Sequence, residues 1–136
     1  MLTIIEYASS DKLEMILRRS ARFVNNDYRR TSSVNTMLKN LQWQTLHQRR
    51  AHNKVITIYR ILNKLTAIPS DLLIKTNTTS RAHSLSLQIP HTRTDIYKSS
   101  FFPSAIRLWN KLTENVVTAD TLDSFKSRAH QIVLVK

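Results

Sequence analysis

The stretch TLHQRRAHNKVITIYRILNKL, residues 45–65, decides the fold class. Its apolar residues return at helical intervals, so that Ala51, Val55, Ile58, Tyr59, Leu62 and Leu65 gather on one side. Arg49, Arg50, Asn53, Thr57, Arg60 and Lys64 gather on the other. Thr45 and Gln48 stand three apart, the spacing of a capping box, in which each side chain pairs an amide that the helix start leaves open. Ile68-Pro69 stops the run, because the residue before a proline avoids the helical region. The spacing predicts a helix from Thr45 to Leu65, roughly 30 Å long at 1.5 Å per residue.

Toward the N-terminus, Asp11 and Glu14 form a similar start, and Leu13, Ile16, Leu17, Ser20 and Val24 then share a face opposite Arg18 and Arg22. Asn25-Asn26-Asp27 ends that helix. Ser33 is placed to cap a short helix with Val34, Met37, Leu38 and Leu41 as its apolar stripe, and Trp43 follows in the connection. Toward the C-terminus, KTNTTSRAH reads as a polar loop, and SLSLQIP alternates with the period of a short half-buried strand that Pro90 confines to an edge. In SSFFPSAIRLWNKL, residues 99–112, Pro103 fits a first helical position. Phe102 can fold back on Ile106, and Ala105, Ile106, Leu108, Trp109 and Leu112 face inward, opposite Arg107, Asn110 and Lys111. Phe102 and Trp109 read as core. A last helix opens at Thr121, with Leu122, Phe125, Ala129, Ile132 and Val133 inward and Asp123, Ser127 and His130 outward.

The expected architecture is mainly α: a small bundle of about five helices with a short extended or β segment near residues 84–100. The length of 136 residues fits one domain. Its helical part covers about 11–68, a loop and extended segment about 69–100, and a second helical part about 101–136.

Composition excludes several chemistries. There is no cysteine, hence no disulfide framework, thiolate nucleophile or cysteine zinc site. There is no glycine, so phosphate-cradling loops, GxGxxG turns and GxSxG elbows are absent. No apolar run reaches the length that spans a bilayer, and MLTIIEYASS lacks the features of a signal peptide. These features point to an intracellular protein of nucleus or cytoplasm without membrane contact. The five histidines, His47, His52, His83, His91 and His130, show no HExxH pattern and read as solvated. Asp120 and Asp123 flank a helix start, where the macrodipole favours acidic residues. No catalytic residue, metal ligand, cofactor or small-molecule substrate is indicated.

The net charge is +12, and it is unevenly placed. No acidic residue stands between Asp27 and Asp71, whereas Arg29, Arg30, Lys39, Arg49, Arg50, Lys54, Arg60 and Lys64 do. A basic tract without counter-charge points to a polyanionic partner.

Read as a string, RTDIYKSSFFPSAIRLWNKL (93–112) resembles the C-terminal region of the reverse transcriptases of non-LTR, LINE-type retrotransposons of the Jockey-like kind. DKLEMILRRSARFV (11–24), DYRRTSSVNTMLKNLQWQTLHQRR (27–50), IYRILNKLTAIP (58–69) and TLDSFKSR (121–128) follow the order such tails show. The resemblance implies a piece of an RNA-directed DNA polymerase whose endonuclease, fingers and palm lie elsewhere. The family's Tyr-x-Asp-Asp turn, which would hold two metal ions, has no counterpart here.

The expected function is therefore non-catalytic, sequence-independent binding of an RNA or DNA backbone. Helix geometry and charge nominate Arg18, Arg22, Arg29, Arg30, Arg49, Arg50, Asn53, Arg60 and Lys64 for it. The alternatives are a packing module for the rest of a reverse transcriptase, or a decayed element. A helix-turn-helix repressor ranks behind these, because the turn glycine is absent and the second helix is long for a base reader.

Overall fold

A computed structural model of the chain describes residues 4–76 and 82–134. Its helices are α1 (Ile4–Asn25), α2 (Val34–Asn40), α3 (Leu46–Leu62), α4 (Asp95–Lys98), α5 (Phe101–Asn110), α6 (Glu114–Val117) and α7 (Leu122–Leu134). The mainly α expectation holds. The helix count is seven among the described residues rather than about five, because α4 and α6 are single turns too short to show periodicity. The chain folds as two compact units, Leu2–Arg49 and Arg50–Lys136.

In the first unit, α1 begins earlier than the Asp11 start implies. Nothing between residues 4 and 10 breaks a helix, so the chain pairs its amides by continuing the helix rather than by capping it. Glu14, freed from a capping box, accepts the Leu46 amide at 3.1 Å and so caps α3 instead. The expected inward face of α1 is also rotated. Ala21 is fully buried and Leu17 packs beside it, against Met37 and Leu38 of α2 with Val34, Leu41 and Trp43 around them. Leu13, Ile16 and Val24 are exposed instead, as is Phe23. Ser33 caps α2 as expected, accepting the Thr36 amide at 3.4 Å.

The Arg50–Lys136 unit holds the larger core. Val55, Ile58, Tyr59 and Ile61 of α3 meet Ala105, Ile106 and Trp109 of α5, Val116 and Val117 of α6, and Phe125 and Ala129 of α7. Tyr59 stacks on Phe125 with ring centroids 4.4 Å apart, and Trp109 lies 5.7 Å from the same ring. Such aromatic pairs add about 0.5–1.5 kcal/mol each beyond their buried area. The Tyr59 hydroxyl donates to the Ala119 carbonyl at 2.8 Å, which satisfies its buried oxygen. Phe102 packs against this core, and Trp109 is fully buried, as expected. Pro103 is the third residue of α5 rather than the first, still within the turn whose amides have no helical acceptor. The side chains of Ile132 and Val133 lie outside the described set.

Among the described residues, the strand expected at SLSLQIP is reduced to one antiparallel bridge between Lys75 and Leu87. The Thr76 amide donates to the Ser86 carbonyl at 3.1 Å and the Gln88 amide to the Ile74 carbonyl at 2.7 Å. In that pattern the Leu87 amide and carbonyl point the other way. There they meet the carboxamide of Asn110, whose Oδ1 accepts at 2.9 Å and whose Nδ2 donates at 2.8 Å. Trp109 Nε1 donates to the Leu85 carbonyl at 2.9 Å, and His83 Nε2 donates to the Trp109 carbonyl at 2.9 Å. Side chains of α5 thus replace a second strand, and the expected alternation fails: Ser86 is buried and Ile89 exposed. The extended segment ends before 95, where Thr94 caps α4 by accepting the Tyr97 amide at 3.2 Å.

Without glycine, the helix ends use other residues at positive φ. Asn26, Gln42 and Lys64 lie at φ 50°, 56° and 56°, just past α1, α2 and α3. Each end carries the paired bonds of a Schellman motif, as in Leu65 to Arg60 at 2.8 Å and Lys64 to Ile61 at 3.1 Å.

Candidate nucleic-acid interface

α3 carries one basic surface. Its capping box forms as the sequence implies: the Thr45 amide donates to Gln48 Oε1 at 3.1 Å, and the Gln48 amide to Thr45 Oγ1 at 3.2 Å. Arg49, Asn53 and Arg60 then fall within about 40° of one another around the axis, with Thr57 and Arg50 on the same side. Arg49, Arg50 and Asn53 are exposed, and Arg60 and Thr57 are half-buried. The arc is narrower than the sequence implies, because Ile56 and Ile61, which flank it, are both buried. α3 ends at Leu62, so its 17 residues span about 25 Å at 1.5 Å per residue. Lys64 lies beyond it, exposed, in the left-handed cap.

Lys54 belongs to the basic tract but not to the nominated residues, because it falls at the edge of the apolar face. It is half-buried beside Arg50, and burial followed by the Arg50 charge holds its ammonium below the ordinary lysine value. An anion reaching both side chains would relieve that unfavourable placement.

The Leu2–Arg49 unit carries its own basic cluster. Arg22 is committed to the loop after α1: its guanidinium donates to the carbonyls of Asp27 at 3.3 Å, Arg29 at 2.9 Å and Ser32 at 3.5 Å. Asp27 organises the same loop by accepting from the Arg29 amide at 3.1 Å and from Arg29 Nε at 3.2 Å. Hydrogen bonds from Ser32 and Arg29 lower the Asp27 carboxyl from 3.8 to about 2. Arg29 therefore has a counter-ion. Arg18 and Arg30 are exposed and have no acidic partner among the described residues. The nine nominated residues thus divide: Arg18, Arg22, Arg29, Arg30 and Arg49 lie in one unit, and Arg50, Asn53, Arg60 and Lys64 in the other.

Two histidines correct the solvated reading. His83 is buried, its Nε2 bonded to Trp109 and its Nδ1 without a partner among the described residues. His52 is half-buried between α3 and α7, donating from Nε2 to the Lys126 carbonyl at 3.2 Å, with the His130 ring 5.7 Å away edge-on. Burial lowers the His52 value against the raising effect of that bond, and the His130 and Lys126 charges add to the lowering. No group of three or more His, Asp or Glu is placed to hold a metal among the described residues. Nor is any described helix long and apolar enough to cross a membrane.

No family model, curated protein or solved structure matches this chain.

Proposed function

We propose that this chain is a non-catalytic module that binds the phosphate backbone of RNA, DNA or their hybrid through the polar face of α3. The observation that carries the reading is the run of Arg49, Arg50, Asn53 and Arg60 along one side of α3, with Lys64 exposed just past its end, while Val55, Ile58 and Tyr59 on the opposite side are buried in the core. Guanidinium and ammonium groups can each contact a backbone phosphate, and Asn53 adds a neutral donor among them. Contacts of this kind fall on phosphate rather than on base edges, so the binding proposed is sequence-independent. The retrotransposon-like order of sequence motifs supports the same reading, and the parent enzymes of that resemblance act on RNA and DNA together. The chain lacks the paired carboxylates of a polymerase centre, which supports a non-catalytic role.

The test is a fluorescence-anisotropy titration with a labelled RNA–DNA hybrid, comparing the parent chain with Arg49→Ala plus Arg60→Ala. Loss of two phosphate contacts lowers the affinity about tenfold or more at low salt. An unchanged affinity, with the helical content of the variant intact, removes α3 as the interface.

A second reading is favoured by a separate observation. Leu13, Ile16, Phe23 and Val24 stand exposed on α1, as an element built to pack against another protein would leave them.

A further inference from the structure

The Leu2–Arg49 unit has three buried apolar side chains among its described residues, Ala21, Met37 and Leu38. A unit of about 50 residues with so small a core lacks the buried area that holds a domain together. Yet α1 leaves several large apolar side chains exposed. Phe23 is 75% exposed, Ile16 57%, Val24 54% and Leu13 49%.

These residues are not scattered. Leu13, Ile16, Ser20 and Phe23 follow the alternating three- and four-residue steps of a coiled-coil seam, the a and d positions of two heptads. Leu17 and Ala21, one position around the helix, face α2. On the far rim, at both g positions, stand Lys12 and Arg19, exposed and without an acidic partner among the described residues. The seam therefore has one rim that α2 covers at Leu17 and leaves open at Val24, and one rim that is positive.

The geometry points to α1 as the docking face for an acidic amphipathic helix of another protein. That helix seats apolar side chains on Leu13, Ile16 and Phe23 and sets Glu or Asp against Lys12 and Arg19. This rests on the second reading above and names the chemistry of its partner. A second copy of the chain fits poorly. Antiparallel self-pairing places g against g, and so Lys12 and Arg19 against their own kind. Parallel self-pairing sets Arg19 against Val24 and Lys12 against Leu17, with no charge matched. Ser20 at an a position makes the seam weak by itself, which fits a partner that is recruited rather than permanent.

The experiment uses the full chain and two stapled helical peptides of about three heptads. Both have leucine at a and d; one has glutamate at e and g and the other lysine. A third peptide keeps the glutamates but has serine at a and d. Binding is followed by anisotropy, with sedimentation velocity of the chain alone. The leucine–glutamate peptide binds about tenfold or more tightly than either control, and Ile16→Ser with Phe23→Ser reduces its affinity by a similar factor. Those two positions are exposed, so the variant keeps its helical content, which circular dichroism verifies. Equal binding of the lysine peptide overturns the acidic assignment but leaves a docking face. Binding that the double variant does not weaken overturns the proposal, because charge elsewhere then holds the peptide. Binding of no peptide removes the second reading as well. Self-association of the parent chain that the variant abolishes assigns the face to a second copy instead.

Discussion

Replacing Asn110 by alanine tests the way the larger unit holds residues 83–87. Leu87 is 1% exposed, and its amide and carbonyl are both taken by the Asn110 carboxamide, at 2.9 and 2.8 Å. The bridge to Lys75 cannot take them, since its bonds run through Ser86 and Gln88. Alanine leaves a donor and an acceptor unpaired at about 1–3 kcal/mol each, part of which water recovers. A loss of about 2–4 kcal/mol follows, or on the order of 10 °C or more in Tm for a unit of this size. Asn110→Asp keeps the acceptor for the Leu87 amide but turns a carboxylate oxygen on the Leu87 carbonyl. Its cost at neutral pH matches or exceeds that of alanine and falls on acidification, as the carboxyl regains a donor. Urea melts by tryptophan fluorescence in a Trp43→Phe background read Trp109 alone, whose ring is hydrogen-bonded to the same segment. If both variants unfold within about 0.5 kcal/mol of the parent, the segment is not held as described.

Other consequences follow from the same geometry. Lys64→Gly and Gln42→Gly each stabilise the chain by about 0.5–1 kcal/mol, the left-handed cost to a side chain less the extra entropy of glycine, measured by thermal melts. Tyr59→Phe costs about 1–2 kcal/mol in urea, because the Ala119 carbonyl loses its buried donor. The folded Asp27 carboxyl is lowered to about 2 from 3.8, so its stabilisation is complete above the unfolded value and is lost as pH falls toward 2. Asp27→Asn flattens that part of an acid titration of stability, and a curve identical to the parent's refutes the role given to the loop.

Much of the fold was written in local pattern. The Thr45–Gln48 box, the Ser33 cap, the stop at Asn25–Asp27 and the buried Trp109 and Phe125 all follow from spacing and side-chain type. Elements decided by longer-range partners were not legible. Glu14 satisfies an amide 32 positions away rather than three before it. Asn110 looked like an exposed polar residue, because periodicity records which face a residue occupies and not which distant backbone it meets. Ser86 is buried because its hydroxyl donates to the His83 carbonyl at 2.8 Å, a local bond that overrides alternation. In the candidate interface, the polar side of α3 was readable from its period. Sequence could not show that Arg22 is spent on three loop carbonyls, that Arg29 is paired with Asp27, or that Lys54 joins Arg50.

The most direct measurement is the salt dependence of binding to an RNA–DNA hybrid, duplex DNA and single-stranded RNA, at about 50 and 200 mM salt. Three or four phosphate contacts give a slope near −3 in log K against log salt, and so about a 60-fold loss across that range. A loss of that order, reduced by Arg49→Ala with Arg60→Ala, is the result that a backbone-gripping α3 predicts. No binding at low salt, or binding that does not move with salt, contradicts it.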